Sequence, residues 1–324
     1  MRIFVTGASG FIGTAVVRSL VLSGHEVTGL ARSADAAKCL VSAGAAVARG
    51  TIDDLDVLRR EATKADGVIH TAFFHKLSHM EFGTRLRVLL GGVPSGIVER
   101  FSTCAVDADQ RAIQTMGRVL DKGAPLIAAF PTMALMAGRW AKETDAADVR
   151  SVGGARSRSE RAIHELAERG VRAATIRLPP SVHDATKQGL VTQLIALARK
   201  KNASAYLGSG DHRWCAVHRE DAAALFVHAL ERGDAGAHYH AVGEEPITLR
   251  SIALTIGSAL DVPAKSLSVT EGTRHFGWLA PFIGTDNPVS SRITQESLGW
   301  RPAGQHLLDD VGASIKRGSA LASS

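Results

Sequence analysis

The chain has 324 residues, of which 45% are hydrophobic and 22% charged, as in ordinary globular proteins. Its formal net charge is +6, but the basic residues are scattered and aromatic residues make up only 5%, which argues against nucleic-acid binding. No apolar run is long enough to cross a bilayer. Three widely spaced cysteines without a CxxC pair indicate neither a disulfide framework nor a metal site. Because the first predicted strand leaves no room for a signal peptide, we expect a cytoplasmic protein without a membrane partner.

The strongest motif lies in the first dozen residues. An apolar strand at Ile3–Val5 leads into a segment with glycines at positions 7, 10 and 13, and an amphipathic helix follows. In a dinucleotide-binding turn the first glycine permits the sharp bend, the second lets a pyrophosphate approach the backbone, and the third lets the helix pack closely on the sheet. The helix N-terminus offers N–H groups and a partial positive charge to phosphate. We predict that the cofactor-binding residues here are Thr6, Gly7, Ser9, Gly10, Phe11, Ile12 and Gly13; a turn of purely structural role is the alternative.

The residues after the second predicted strand (His25–Leu30) indicate which dinucleotide is preferred. An acidic side chain at this point would hydrogen-bond the ribose 2′-hydroxyl of NAD, but the chain has Ala31, Arg32 and Ser33 there. An arginine and a hydroxyl suit a 2′-phosphate. The sequence therefore predicts NADP(H) as the preferred cofactor, with Arg32 and Ser33 as ligands and NAD(H) as a possible substitute; an ordinary surface role for Arg32 is the alternative.

Further predicted strands and helices alternate along the first half of the chain. Predicted helices are 34–42, 55–63, 107–121, a helix closing at 166–170, 190–200, 222–230 and 249–260; predicted strands are 46–49, 67–73, 125–130, 171–178 and 239–242. This alternation predicts an α/β fold: a Rossmann-type doubly wound parallel sheet with a smaller C-terminal substrate-binding lobe. We predict a division into residues 1–178 and 179–324, with a late strand near 238–242 returning to the sheet. Because ligands bind outside the carboxyl ends of such strands, Thr71, Ala72 and Phe73 are expected to line the cofactor channel.

Several segments together resemble the extended short-chain dehydrogenase/reductase family, in its epimerase/dehydratase branch, over nearly the whole chain. They are the glycine segment 6–13, Val68-Ile69-His70-Thr71-Ala72, Arg177-Leu178-Pro179-Pro180-Ser181-Val182-His183, Trp214-Cys215-Ala216-Val217-His218-Arg219-Glu220-Asp221 and Leu298-Gly299-Trp300-Arg301-Pro302. The resemblance implies a nicotinamide cofactor, to whose site Pro180 contributes. It also implies that the residue after the fifth strand, here Thr132, hydrogen-bonds a substrate oxygen. The same resemblance makes a homodimer possible, through helices 107–121 and 158–169.

The family's usual catalytic pair is missing from this sequence. The pair is a tyrosine four residues before a lysine, in which the lysine lowers the pKa of the tyrosine that transfers a proton. The only tyrosines are Tyr206 and Tyr239, and no lysine occurs between Lys142 and Lys187. The best register puts Arg156 at the tyrosine position and Glu160 at the lysine position. His183 is our candidate for a replacement proton donor, since an imidazole titrates near neutrality.

Two side chains are predicted to bind the substrate, and the resemblance supports the second of them. These are Tyr206 and Arg213, whose fixed guanidinium fork suits bidentate contact with an anion. The sequence-based hypothesis is an NADP(H)-dependent reductase or dehydrogenase acting on a small carbonyl/alcohol pair. An epimerase, isomerase or dehydratase using bound NAD(P), and a non-catalytic NADPH-binding regulator, are the alternatives.

Overall fold

A computed structural model describes residues 1–92 and 96–322, with side chains described up to residue 317. The first half alternates strands and helices: β1 (Arg2–Thr6), α1 (Phe11–Leu22), β2 (Glu26–Ala31), α2 (Ala34–Ser42), β3 (Ala46–Arg49), α3 (Leu55–Lys64), β4 (Gly67–His70), α4 (Phe82–Leu90), α5 (Ile97–Gly117), β5 (Pro125–Pro131), α6 (Ser157–Glu168) and β6 (Arg172–Leu178).

The second half has shorter strands. It comprises β7 (Ser181–Asp184), β8 (Lys187–Gln188), α7 (Val191–Lys201), β9 (Ser204–Leu207), β10 (Arg213–Trp214), β11 (Ala216–His218), α8 (Arg219–Arg232), β12 (His238–His240), β13 (Ile247–Thr248), α9 (Leu249–Leu260), β14 (Ala264–Leu267), α10 (Val269–Phe276), α11 (Ala280–Ile283), α12 (Arg292–Leu298) and α13 (Leu307–Ala322).

The six strands of the first half, β1 to β6, form a seven-stranded sheet together with β12. Its strand order is β12-β6-β5-β4-β1-β2-β3, and the strands from β5 to β3 pair in parallel. Strands β1 and β4 are almost entirely buried, as expected where both faces of a parallel sheet are covered. The predicted α/β class and the Rossmann-type parallel sheet are confirmed.

The chain divides into two compact units that interleave along the sequence. The first unit consists of Met1–Phe130, Ala155–Ile176 and Ala223–Tyr239, and the second contains the rest of the described chain. The core of the first unit forms around Phe4, Val68, Ile113 and Leu126. The core of the second forms around Trp214, Ile252 and Leu307. Strand β12 lies at the sheet edge beside β6; the division at residue 178 stays a prediction.

Several predicted bounds differ from the structure; the strand predicted over 67–73, for example, ends at His70. Helix α5 begins at Ile97 and ends at Gly117, whereas residues 107–121 were predicted; the helix stops where Gly117 packs beneath Leu166, a contact that a Cβ would block at 2.2 Å. The segment 206–214, for which no helix or strand was predicted, contains the end of β9 and all of β10, joined by a turn with positive φ at Gly208 and Gly210.

Candidate functional site

The glycine turn after β1 is packed against the end of β4. Gly7 has a φ of +69°, and a Cβ there would lie 2.6 Å from the backbone nitrogen of Ala72. A Cβ at Gly13 would lie 2.1 Å from the carbonyl oxygen of Gly7, and one at Gly10 would lie 3.1 Å from it. At Gly7 and Gly13, therefore, the turn has no room for a side chain larger than a hydrogen atom. This close packing draws together the predicted residues of the turn and Thr71, whose N–H and hydroxyl both donate to the Thr6 carbonyl.

The turn delivers the N-terminus of α1. Gly10 is the N-cap residue and is exposed, and in this described stretch no side chain caps the helix and its first turn carries no acidic residue. First-turn N–H groups lack partners within the helix, and they carry the positive end of its dipole. Ser9 and Phe11, on either side of Gly10, are half-buried. This end of α1 is built to receive a negatively charged group.

A buried hydrogen-bonded chain starts beside the turn. Because β1 and β4 pair with Thr6 opposite His70, their side chains meet, with Thr6 Oγ1 2.6 Å from His70 Nδ1. The other ring nitrogen of His70 lies 3.1 Å from the Asp109 carboxylate on α5. All three side chains are at most 1% exposed. The neutral imidazole fits this chain when its Nε2–H donates to Asp109 and its Nδ1 accepts from the Thr6 hydroxyl.

Arg156 completes this chain at the start of α6. Its guanidinium lies 3.3 Å from the second oxygen of Asp109 and donates to the Ala129 carbonyl at 2.8 Å. It is also stacked between two aromatic rings, 4.1 Å from the centroid of Phe73 and 4.8 Å from that of Phe130. Burial alone would raise the pKa of Asp109, but the Arg156 charge and the His70 hydrogen bond outweigh it and hold that pKa below its usual value. The residue predicted to replace the family's tyrosine is thus held in an ion pair.

Arg32 and Ser33 lie where β2 meets α2. Ser33 is the N-cap of α2 and accepts from the Ala36 N–H at 3.2 Å. Arg32 is exposed, and its guanidinium lies 3.0 Å from Nε2 of His79. Partial burial, and then the charge of Arg32, lower the pKa of His79, so the imidazole is neutral at pH 7 and accepts from Arg32. The guanidinium is therefore held at this strand end without a carboxylate partner among the described contacts.

Thr132 lies in the second unit, in a short 3-10 turn after β5. It is fully buried, and its hydroxyl donates to Asn287 Oδ1 at 2.7 Å while the Asn287 amide donates back to its carbonyl at 3.1 Å. The proton of the hydroxyl is thus committed to Asn287, so contact with a substrate oxygen requires this pair to open. Catalysis by Thr132 stays a prediction.

His183 lies on β7 in the second unit and is fully buried between two carboxylates. Its Nδ1 is 2.8 Å from Asp310 on α13, and its Nε2 is 3.2 Å from Glu244. Glu244 also accepts from the Leu307 N–H, at the start of α13. Burial raises the pKa of Glu244, but these hydrogen bonds together lower it below its usual value. In this arrangement the imidazole holds α13 in place through its contact with Asp310. A role of His183 as proton donor stays a prediction, and it requires the loss of one carboxylate contact.

The remaining predicted residues of the second unit are Pro180, Tyr206 and Arg213. Pro180 is half-buried between β6 and β7, and its carbonyl accepts from the Leu190 N–H. Tyr206, on β9, packs against the turn at Gly210, where an added Cβ would lie 2.7 Å from its ring. Arg213, on β10, is paired with Asp286. The structure brings Tyr206 and Arg213 to the two ends of one turn, and their substrate contacts stay predictions.

Sequence reasoning missed the acidic and amide partners of these residues. Asp109 had a visible signal, since it lies at helical spacing from the apolar residues Ala112, Ile113 and Met116, on the face of α5 that is buried. An acidic residue on an apolar face needs a cationic or hydrogen-bonding partner. Asp286, Asn287 and Asp310 gave no such signal, because they meet Arg213, Thr132 and His183 only through the fold.

Comparisons with known proteins agree with this geometry. The profile of the NAD dependent epimerase/dehydratase family matches residues 3–85. An uncharacterised protein of Schizosaccharomyces pombe is 43% identical over 96% of this chain and 98% of its own length. A 4-hydroxy-2-methyl-3-oxo-4-farnesyl-3,4-dihydroquinoline-1-oxide ketoreductase of Stigmatella aurantiaca is 25% identical over 78% of this chain and 71% of its own length. The structure of a UDP-glucuronic acid 4-epimerase from Bacillus cereus, in complex with UDP-glucuronic acid and NAD, superposes with a TM-score of 0.72 at 17% identity, covering 99% and 100% of the two chains.

The chain belongs to the NAD-dependent epimerase/dehydratase family. The family whose model matches is NAD dependent, and the matched residues include the glycine turn. The residues at the glycine turn fit a nicotinamide cofactor, because the turn has no Cβ where the pyrophosphate approaches and the α1 N-terminus is open to an anion.

Two further features concern partners. Among the described residues no helix is both long and apolar enough to cross a membrane. No group of three or more His, Cys, Asp and Glu side chains in the described part of the chain is placed to hold a metal ion. The homodimer and the cytoplasmic location stay predictions.

Proposed function

We propose that this protein is an NADP(H)-dependent reductase that converts a small carbonyl compound to an alcohol. The observation that carries the proposal is the Gly7–Gly13 turn, closed against Ala72 and followed by the uncapped N-terminus of α1. A buried series of contacts through His70, Asp109 and Arg156 holds Thr6 and Phe73 beside this turn. When bound, the reduced nicotinamide supplies the hydride for the carbonyl carbon.

The preference for NADP(H) rests on Arg32. Its guanidinium is exposed at the end of β2, in the place where a carboxylate would favour NAD, and the neutral His79 holds it there. The Ser33 hydroxyl at the α2 N-terminus is the second group that we assign to the 2′-phosphate. A phosphate at this point gains charge-assisted hydrogen bonds without displacing an acidic partner.

The protein's own contribution to the chemistry is binding and orientation. In this proposal the Thr132 hydroxyl leaves Asn287 and donates a hydrogen bond to the substrate oxygen, which stabilises the negative charge that develops there. The alkoxide left by hydride transfer then takes a proton from solvent water to give the alcohol. Positioned acid catalysis typically raises the rate about 10²–10⁴-fold. An enzyme without the Tyr/Lys pair loses part of this factor, but hydride transfer itself is still feasible. The ketoreductase relative, similar over 78% of this chain, supports a reductase over an epimerase.

Turnover with a panel of carbonyl compounds tests the proposal. Purified protein with NADPH and each of a series of aldehydes and ketones should give steady loss of the absorbance of the reduced nicotinamide. Tight NADPH binding with no turnover on any carbonyl would contradict the reductase and favour the non-catalytic regulator. Conversion of a sugar hydroxyl with no net change of cofactor would favour the epimerase.

The Arg32→Ala variant is expected to weaken NADPH selectively. Loss of one charge-assisted contact to phosphate costs about 1.5–3 kcal/mol, or roughly 10–100-fold in the Kd for NADPH, while the Kd for NADH should change by less than about twofold. Calorimetric titration with each cofactor measures both values. Arg59→Ala, which removes an exposed arginine from α3, is the control and should change neither. An equal loss for both cofactors, or no loss, would show that Arg32 does not read the 2′-phosphate.

A further inference from the structure

A polar cleft lies wholly within the second unit. It has a volume of about 510 Å³ and is lined by Ser209, Asp211, His212, Arg213, Thr248 and Asp286. The lining comes from the turn between β9 and β10, the start of α9 and the segment after α11. It offers two hydroxyls, two carboxylates, an imidazole and one guanidinium to a ligand. The cleft is large enough for a small polar molecule.

The single guanidinium in the lining is already neutralised. Asp286 accepts from the Arg213 backbone N–H at 2.7 Å, from Nε at 3.0 Å and from Nη2 at 2.8 Å. The hydrogen bonds from Arg213 lower the pKa of Asp286, so its carboxylate stays ionised at neutral pH. Two parallel bonds to one carboxylate are the contact that a phosphate or carboxylate ligand would make with the same fork. Asp286 therefore occupies the place of an anionic ligand.

The start of α9, which also faces the cleft through Thr248, is closed to anions as well. The Leu249 N–H donates to the His212 carbonyl at 2.8 Å, and the Arg250 N–H donates to the Gly210 carbonyl at 3.0 Å. The Ser251 N–H donates to Thr248 Oγ1 at 3.1 Å. Helix N-termini bind anions through these first N–H groups. Here all three are used within the protein.

An exposed tryptophan is held beside the same ion pair. Trp140 is 47% exposed, and its ring centroid lies 5.9 Å from the Arg213 guanidinium carbon. The backbone on both sides of it is fixed, since the Gly138 N–H donates to the Asp286 carbonyl at 2.9 Å and the Ala141 N–H donates to the Pro288 carbonyl at 3.0 Å. A large aromatic ring on a fixed backbone offers a flat surface for the C–H groups of a ligand.

We propose that this cleft binds the substrate, and that the substrate is an uncharged, hydroxyl-bearing carbonyl compound rather than a phosphate or a nucleoside diphosphate derivative. The inference rests on the proposed reductase function. The lining has two carboxylates, Asp211 and Asp286, against the single guanidinium of Arg213, and this excess of negative charge repels an anion. Ser209, Thr248 and Asp211 supply hydroxyl and carboxylate groups that bind substrate hydroxyls. Arg250, exposed on α9, is a nearby cation that lies outside this lining.

A matched pair of aldehydes measures this specificity. With NADPH as the cofactor, kcat/KM for glyceraldehyde should exceed that for glyceraldehyde 3-phosphate by at least about tenfold, which corresponds to about 1.4 kcal/mol. Asp286→Asn removes the internal anion and should lower this ratio at least about tenfold. Asp261→Asn makes the same change of charge at an exposed site outside the cleft and should leave the ratio unaltered. A wild-type enzyme that uses the phosphorylated aldehyde equally well overturns the inference, whether or not the variant folds.

A binding measurement separates this inference from the reductase proposal. Titrations of the wild-type protein with glycerol and with glycerol 3-phosphate, followed by tryptophan fluorescence, need no turnover. Saturable binding of glycerol, without saturable binding of glycerol 3-phosphate, supports the cleft assignment even if neither aldehyde is reduced. The absence of reduction would then overturn only the reductase proposal. Saturable binding of glycerol 3-phosphate, or of neither compound, overturns the cleft assignment; if Arg250→Ala abolishes the phosphate binding, Arg250 is the anion ligand.

Discussion

Asp109→Ala is expected to lower the free energy of unfolding by about 3–5 kcal/mol, because the substitution removes the carboxylate that pairs with the buried Arg156. Asp109 is fully buried, and its two oxygens contact His70 at 3.1 Å and Arg156 at 3.3 Å. At about 2–4 °C per kcal/mol, the melting temperature should fall by on the order of 10 °C. Differential scanning calorimetry measures this change.

The control for Asp109 is an exposed ion pair of the same charge types. Arg292 and Glu296 pair at i,i+4 on α12 with side chains 72% and 60% exposed, so Glu296→Ala should cost less than about 0.5 kcal/mol. If Asp109→Ala costs no more than this control, the buried pair does not hold the region together.

The Asp109 pair also has a defined pH dependence. Because the fold lowers the pKa of Asp109, its stabilisation is fully present above its unfolded pKa of about 3.9 and is lost as the pH falls through the folded value. The stability difference between the wild type and Asp109→Asn should therefore shrink as the pH falls below about 4. A difference that grows as the pH falls would contradict this sign.

Gly7→Ala is expected to abolish tight binding of both nicotinamide cofactors. The Cβ would lie 2.6 Å from Ala72 N and 2.7 Å from Thr71 Oγ1, so the turn must move away from the end of β4. Overpacking of this kind costs about 1–3 kcal/mol, and an adverse φ adds about 1–2 kcal/mol. If the displaced pyrophosphate contacts lose about 2.8 kcal/mol of binding free energy, both Kd values rise by a factor on the order of 100. The equal effect on NADPH and NADH distinguishes this variant from Arg32→Ala.

Gly24→Ala is the matched control for Gly7→Ala. Gly24 has a similar φ of +79°, but no atom lies within 4 Å of the position of its Cβ. Both variants therefore bear the same backbone strain, and only Gly7→Ala creates a contact at the cofactor turn. If Gly24→Ala weakens cofactor binding as much as Gly7→Ala, the effect comes from overall stability and not from the turn.

The parts of the fold that the sequence predicts well are those set by local signals. Helix α2, strand β3 and helix α9 have the predicted bounds, and an N-cap serine or threonine marks the start of each helix. The glycine turn belongs to the same class, because its spacing and its flanking strand and helix lie within 20 residues. Segment 74–100 had no such pattern and contains α4 and the start of α5.

The environment of the candidate site depends on contacts that are distant in sequence. Thr132 and Asn287 are 155 residues apart, and His183 and Asp310 are 127 apart. A sequence shows that a polar residue is present but not which partner neutralises it. Arg213 illustrates the consequence: its type suggested an anion ligand, whereas its pairing with Asp286 in the fold favours an uncharged one.

The most direct test of the account follows the hydrogen atom from cofactor to substrate. The protein is incubated with glyceraldehyde and NADPH that carries deuterium at the transferable position of C4, and the alcohol product is analysed by mass spectrometry. The account predicts a product one mass unit heavier, with the deuterium on the former carbonyl carbon and one equivalent of NADP⁺ formed. NADPH that binds and remains intact in the presence of this aldehyde and of the wider carbonyl panel would contradict it.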